Sequence, residues 1–281
     1  GNGPAAASPA AREKKPERSA PPRHGGALKI AAPGRTGRPS GGILMEGMAA
    51  LLAFGPEGWG DELASGLLVT VSLALATLPL GLAVGFAVAL AKQSPEKSLR
   101  MAADIYTTIF RGLPELLTLF LVFYGAQLAI QRTVWFFDPD ASIEINAFVA
   151  GMVALGAVFS SYASEVFLSA FRAIPAGQYE AGHAIGLTRF QTMRLVILPQ
   201  LVRIALPGLT NLWLILIKDT ALVSVIGLSD IIRQAGIAAR VTREAFLFFG
   251  VACLIYLGLA ILSSVAFVFV ERWAGKAEPA R

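Results

Sequence analysis

Five stretches of the chain run apolar for roughly 18 residues or more with few charges, and each such stretch is long enough to cross a ~30 Å hydrocarbon layer as a helix. Leu63–Ala91 and Ala245–Val270 carry no charged residue; Gly112–Ile130 carries Glu115, Ala147–Phe171 carries Glu165, and Ile204–Leu228 carries Lys218 and Asp219. The helix of the second stretch is expected to begin earlier, near Met101. The pattern predicts an all-α polytopic membrane protein with five spans and termini on opposite sides. Composition agrees: only 15% of residues are charged and 55% are apolar, whereas a soluble domain carries about a quarter charged residues.

The distribution of charge sets both orientation and partners. Ten Lys or Arg fall in the loops on one side of the five spans and four on the other, which makes the first side, with the C-terminus, cytoplasmic. The overall charge of +5 does not point to nucleic acid, because residues 1–44 hold eight basic and two acidic side chains while the rest is nearly balanced. Gly1–Gly42 is rich in Pro, Gly, Ala and Arg without apolar periodicity, so it is expected to be disordered. With a basic segment placed outside by this topology, residues 1–44 are read as non-native, with Met45 or Met48 the natural start.

Within the spans, Gly81-x-x-x-Gly85 is read as ordinary helix packing. Trp135, Phe136 and Phe137 form an interfacial aromatic cluster on the outer side. Ser229–Glu244 places Ile231, Ile232, Ala235 and Ala239 at helical spacing; a short amphipathic surface helix and a polar connector both fit. Cys253 is a packing residue in an apolar span.

The cytoplasmic stretch Arg172–Arg203 is the most informative. It contains AIPAGQYEAGHAIGLTRFQTMRLVILPQ. Pro175 begins a helix with an apolar stripe of Tyr179, Ala181, Ala184 and Ile185, and Gly186 stops it. A second short helix carries Phe190, Met193, Leu195 and Val196 and is expected to end at Pro199. Two short helices joined at a glycine make a compact knob.

This stretch resembles the EAA signature of binding-protein-dependent ABC transporter permeases, E-A-A, three residues, G, nine residues, I-x-L-P. Glu180, Ala181, Gly186, Leu198 and Pro199 match; Gly182 stands where a second Ala is usual, and Val196 replaces Ile. The resemblance implies a type I importer (MetI-like) permease domain over residues 58–275 in a bacterial inner membrane. It also implies a knob docked on a cytoplasmic ABC ATPase dimer that binds the ATP and Mg, a second permease subunit, and a periplasmic solute-binding protein. FRGLPELLTLFLVFYG (Phe110–Gly125), SSYASEVFLSAF and NLWLILIKDTALVSVIGLSDI (Asn211–Ile231) are most similar to the HisQ/OccQ branch, whose members import histidine, lysine, arginine, ornithine or opines such as octopine. A type I permease for a different small solute is the nearest alternative.

The residues themselves support a non-catalytic subunit. No G-x-x-x-x-G-K-[ST] phosphate loop occurs, and the body has one histidine, His183, which excludes an H-E-x-x-H metal centre; His24 lies in the tail. No cofactor or metal is expected on this chain. A membrane enzyme would need clustered acid, base or metal groups, and a self-sufficient channel or secondary transporter would need repeated halves or a pore ring. Charges within a bilayer face a bundle interior or an aqueous path, which singles out Arg111, Glu115, Glu165, Lys218 and Asp219. Glu165, beside Ser160, Ser161 and Ser164, is either a partner for a substrate cation on a polar lining or one half of a structural pair with Arg111 or Lys218. Lys218 and Asp219 are assigned to a structural membrane pair at a helix junction or dimer seam.

The charge distribution gives a first prediction. A chain starting at Met45 should insert and transport as the full chain does; loss of membrane insertion or uptake on truncation would contradict it.

Overall fold

In a bilayer, helices cannot associate by expelling water from between them, so close contact of small residues and buried polar links must hold them together. The computed structural model of the protein describes residues 48–56, 58–137 and 144–275 and follows that logic. In chain order the helices are α1 (Gly60–Lys92), α2 (Lys97–Gly112), α3 (Glu115–Phe137), α4 (Ala147–Ala173), α5 (Ala176–Ala184), α6 (Arg189–Thr192), α7 (Leu198–Asp219), α8 (Ile231–Thr242) and α9 (Ala245–Gly275). A π-helical turn, Met193–Ile197, joins α6 to α7, and a 3₁₀ segment, Thr220–Ile226, follows α7. Among the described residues five helical runs are long and apolar enough to cross a membrane: α1, Glu115–Phe136, α4, Arg189–Ile226 and Ala245–Arg272.

The centre of the bundle is the pairing of α1 with α4, and α4 is the most buried of the five spans. The two helices run parallel. Gly81 meets the Phe159 ring, Gly85 meets Ala163 and the Ser160 carbonyl, and from the other side Gly151 lies over Leu73 and Gly156 over Leu80. A methyl group at Gly81 would lie 2.5 Å from Phe159, and one at Gly85 would lie 2.9 Å from Ala163. The Gly81/Gly85 pair, expected to be ordinary packing, is therefore a site of close approach that a larger residue would force apart.

Three sequence expectations change. The second stretch is not one helix from Met101: α2 ends at Gly112, Leu113 is extended (φ −90°, ψ 142°), and α3 starts at Glu115. Pro114 is the cause, because its ring disfavours helical geometry at the preceding residue. Pro199 does not end a helix either. It sits in the first turn of α7, where its missing N–H is tolerated, and the π turn before it carries the helix on from α6 into the fourth span. The Ser229–Glu244 segment is indeed helical over Ile231–Thr242, but its small apolar face is buried in protein: Ile231, Ala235, Ala238 and Ala239 pack with Leu63 of α1 and Phe248 of α9. Trp135 and Phe136 belong to the last turn of α3 and are exposed. The expectations about residues 1–44 and His24 lie outside the described residues.

The junction of α8 with α1 rests on one buried carboxylate. Asp230 caps α8 by accepting from the N–H groups of Ile232 (3.3 Å) and Arg233 (3.0 Å), and Gly66 of α1 packs directly on its backbone. The Ile231 N–H donates to Thr70 Oγ1 at 3.4 Å, and the Tyr256 hydroxyl of α9 lies beside Thr70, Thr220 and Asp230. Burial pushes the Asp230 carboxyl up to about 6 against the pull of its capping N–H bonds. The native form thus holds a proton that the unfolded chain, with an ordinary value of 3.8, has already lost. Stability should therefore fall as pH rises from about 4 to about 6 and level off above that. In Asp230→Asn, which keeps the capping oxygen, this part of the slope should vanish from thermal denaturation profiles of the purified protein. An unchanged slope would contradict the assignment.

Candidate functional site

The break between α2 and α3 falls at the start of the second span and places two ionisable residues, Arg111 and Glu115, on either side of the extended Leu113 and of Pro114. Non-helical backbone at membrane depth is tolerated where it lies inside protein or faces an aqueous cavity. Here α2 is fixed to α4 by Tyr106, whose hydroxyl lies 2.7 Å from Ser160 Oγ and donates to the Ala157 carbonyl at 3.1 Å.

Around Glu165 of α4 the structure gathers four charges from three helices. Lys92 Nζ, at the last residue of α1, donates to Glu165 Oε1 at 2.7 Å and also lies 3.2 Å from Asp104 Oδ1 of α2. Arg111 Nη1 approaches the same Glu165 oxygen at 3.4 Å, and its guanidinium stands over the Tyr162 ring, 5.5 Å from the centroid. The Lys92 side chain is only 8% exposed, against 32% for Glu165 and 59% for Asp104. The expected partner Arg111 is thus present, Lys218 is not, and Lys92 and Asp104 were missed. Lys92 was read as a loop charge; a helical side chain leans back toward its own N-terminus, and that lean carries the ammonium into the bundle.

The serines do not form the expected polar lining. Ser161 and Ser164 are fully buried, and their hydroxyls donate to the carbonyls of Val158 and Ser161 at 2.7 Å each. Ser161 therefore presents no free group to the Glu165 surface.

Tyr162 also lines a small cavity, where Glu115 and Asp219 come within hydrogen-bonding reach of one another beside Phe159, Leu212 and Leu216. Lys218 is exposed and makes no ion pair among the described residues. Lys218 and Asp219 make no direct ion pair with one another, because consecutive helical residues point in different directions. Tyr162 borders both charged groups, so Asp219, Glu115, Tyr162, Arg111 and Glu165 make a polar track beside the broken helix.

At the end of the bundle carrying Lys92, the knob is two helices closed on each other. α4 stops at Ala173 because Ile174 precedes Pro175 and is extended, and α5 follows at once. Its C-terminus is a Schellman turn: Gly186 (φ +84°) donates to the His183 carbonyl and Leu187 to the Gly182 carbonyl, both at 3.0 Å. A side chain at Gly186 would meet open space, so glycine is required there by its left-handed backbone alone. α6 then starts with a capping box, in which Thr188 Oγ1 accepts from Gln191 N and Gln191 Oε1 accepts from Thr188 N. The T-x-x-Q spacing announces that cap in the sequence, although it was not picked out. Of the expected stripe only Tyr179 turns toward the bundle; Ala181, Ala184 and Ile185 are exposed, as are Glu180, Phe190, Leu195 and Pro199, while Leu198 is half-buried. Gln200 Nε2 ties α7 to α5 through Gln178 Oε1 at 3.1 Å.

Residues 78–275 match the family described as binding-protein-dependent transport system inner membrane component. The chain belongs to that family. It is 42% identical over 228 residues to the nopaline transport system permease protein NocQ of Agrobacterium fabrum, covering 80% of this chain and 96% of that one. It is 37% identical over 215 residues to the histidine/lysine/arginine/ornithine transport system permease protein HisQ of Salmonella typhimurium, covering 76% and 94%. A crystal structure of an amino acid ABC transporter with histidines superposes with a TM-score of 0.66 at 32% identity, over 76% of this chain and 94% of that one. The permease chain of the MetNI methionine ABC transporter shares the fold, with a TM-score of 0.58 at 19% identity. The protein is accordingly a multi-pass membrane permease with the type I importer fold, a transport component.

The family signature makes Gly182 informative. A Cβ there would lie 2.6 Å from Thr192 Cγ2 and 2.8 Å from its Oγ1, and Thr192 is itself buried with no partner for its hydroxyl. Gly182 is thus the contact point of α5 on the second knob helix, and the departure from alanine is matched by a bulky Thr192. Restoring alanine gains up to ~1 kcal/mol of helix propensity but meets overpacking worth ~1–3 kcal/mol. Gly182→Ala should therefore lower the thermal stability of the purified permease, and adding Thr192→Ala should return it to or above the starting value. A stabilising Gly182→Ala, or strict additivity of the two changes, would refute the contact.

Proposed function

We propose that this permease is the membrane-spanning subunit of an ABC importer for basic amino acids or opines, lying in a bacterial inner membrane with its C-terminus in the cytoplasm. The observation that carries the substrate class is Glu165 of α4, a carboxylate near the break before the second span that already accepts an ammonium from Lys92 and faces the guanidinium of Arg111. A substrate bearing either group can replace one of them there, where water is a poor substitute. The names of the relatives agree in kind: NocQ is named for nopaline, HisQ for histidine, lysine, arginine and ornithine, and the 38% identical ArtQ of Haemophilus influenzae for arginine.

Energy is supplied from outside the chain. The knob presents exposed Ile185 and Phe190, 75% and 72% accessible, around the turn at Gly186, and an apolar projection of this kind fits a groove on a cytoplasmic ATPase dimer that carries ATP and Mg. Glu180, Ala181, Gly182, Gly186, Leu198 and Pro199 form the coupling element in this reading. Arg111, Glu115 and Glu165 line the substrate path. A periplasmic solute-binding protein delivers the amino acid, and a second permease subunit completes the translocation pathway.

Glu165→Gln keeps the size of the side chain and removes its charge. Uptake of arginine, lysine or histidine per assembled complex should fall about tenfold or more, equivalent to ~1.4 kcal/mol, while ATPase association persists. A purely structural role for Glu165 predicts lower membrane abundance with normal uptake per complex, and that result would overturn the proposal.

A further inference from the structure

The carboxylate assigned to the substrate is already occupied. Lys92 Nζ lies 2.7 Å from Glu165 Oε1, the same oxygen that faces Arg111 at 3.4 Å. The four charges Lys92, Asp104, Arg111 and Glu165 sum to zero, so an arriving cation either adds an excess charge to a balanced cluster or displaces a cation from it. The two resident cations are not equally free to leave. Arg111 is held over Tyr162 and, as a planar fork, loses its geometry when moved. Lys92 is a point charge on a flexible stem, and a second carboxylate, Asp104, already stands 3.2 Å from its nitrogen. Asp104 is also the more exposed of its two partners, so the ammonium can transfer to it without being left unpaired.

We infer that Lys92 is a tethered competitor of the cationic substrate: its ammonium neutralises Glu165 when the permease is empty, moves to Asp104 when substrate takes Glu165, and returns to expel the substrate. The inference rests on the reading of Glu165 as a substrate contact. It assigns to Lys92 and Asp104 the setting of affinity in the membrane subunit. Conduction needs a site strong enough to be entered and weak enough to be left, and a resident cation at the knob end of α1 supplies that weakening from inside the molecule. Lys92 is a positioning residue in this scheme, because it acts through Glu165 and touches no substrate.

The test is equilibrium binding of radiolabelled arginine to the assembled permease–ATPase complex in detergent, without the solute-binding protein, together with uptake by the reconstituted importer. Lys92→Met should bind arginine several-fold more tightly and turn over more slowly, with binding of a neutral amino acid such as glutamine unchanged. Asp104→Asn should bind arginine more weakly, because Lys92 loses its second resting place. The double variant should match Lys92→Met, since Asp104 acts only through Lys92; a bulk charge effect instead predicts that the two changes add. A merely structural role predicts that both single variants weaken binding or assembly. If Lys92→Met does not assemble, Lys92→Arg and the exposed Asp104→Asn carry the test, and an unchanged arginine affinity in Asp104→Asn refutes the inference. Unaltered arginine affinity in Glu165→Gln removes the reading of Glu165 itself, whereas a defective Glu165→Gln with no tightening in Lys92→Met removes only the competitor.

Discussion

The parallel contact of α1 on α4 is the constraint from which the rest of the structure follows. Lipid chains are as apolar as leucine, so nothing is gained by hiding one apolar helix behind another unless the surfaces fit closely. Gly81 and Gly85 provide that fit at points where a side chain would collide with α4, and Gly156 brings α4 tightly onto Leu80 of α1. The register they fix brings Lys92 down beside the turn of α4 that carries Glu165, and it leaves the hydroxyls of Ser161 and Ser164 with no space to do other than bond their own helix. A charged group in the bundle is thus held by a contact built on glycines two and three turns away.

The second determinant is Pro114. A continuous second span would turn Arg111 and Glu115 onto one face, one helical turn apart; the extended Leu113 separates them, so that Arg111 joins Glu165 while Glu115 joins Asp219 in the small cavity lined by Tyr162. The same break leaves α2 as an amphipathic helix of its own, anchored by Tyr106 and Thr107 toward α4 and presenting Met101, Ile105 and Ile109 outward.

What was legible in the sequence was what depends on composition and local pattern. The spans followed from hydropathy, the glycine turn from the residue type at Gly186, and the start of α5 from Pro175. What failed depended on neighbours. Pro199 looked like a stop because a proline in mid-helix removes a hydrogen bond, but a π turn immediately before it gives the proline a fresh first turn. Lys92 looked like a loop charge because it ends an apolar run, yet its side chain reaches back into the bundle. The Ser160, Ser161 and Ser164 group looked like a wet surface because the sequence cannot say whether a serine in a helix faces water or bonds a carbonyl three residues earlier.

The knob is continuous with the two helices that carry Glu165 and Asp219. α5 is joined to α4 by only Ile174 and Pro175, and the second knob helix passes through the π turn into α7 without a break. The knob is therefore attached to two rigid helices, one bearing Glu165 and the other Asp219, which form opposite walls of the track. Its own halves are locked by Gly182 against Thr192 and by Gln178 on Gln200, so a push on either half moves both. Beside the track, α2 meets α3 at the extended Leu113, whose N–H still closes α2 on the Ile109 carbonyl while the Pro114 carbonyl accepts from Thr118 N, both at 3.0 Å. The direction of the chain therefore changes at one residue with its backbone bonds kept, and that change turns Arg111 toward Glu165 and Glu115 toward Asp219.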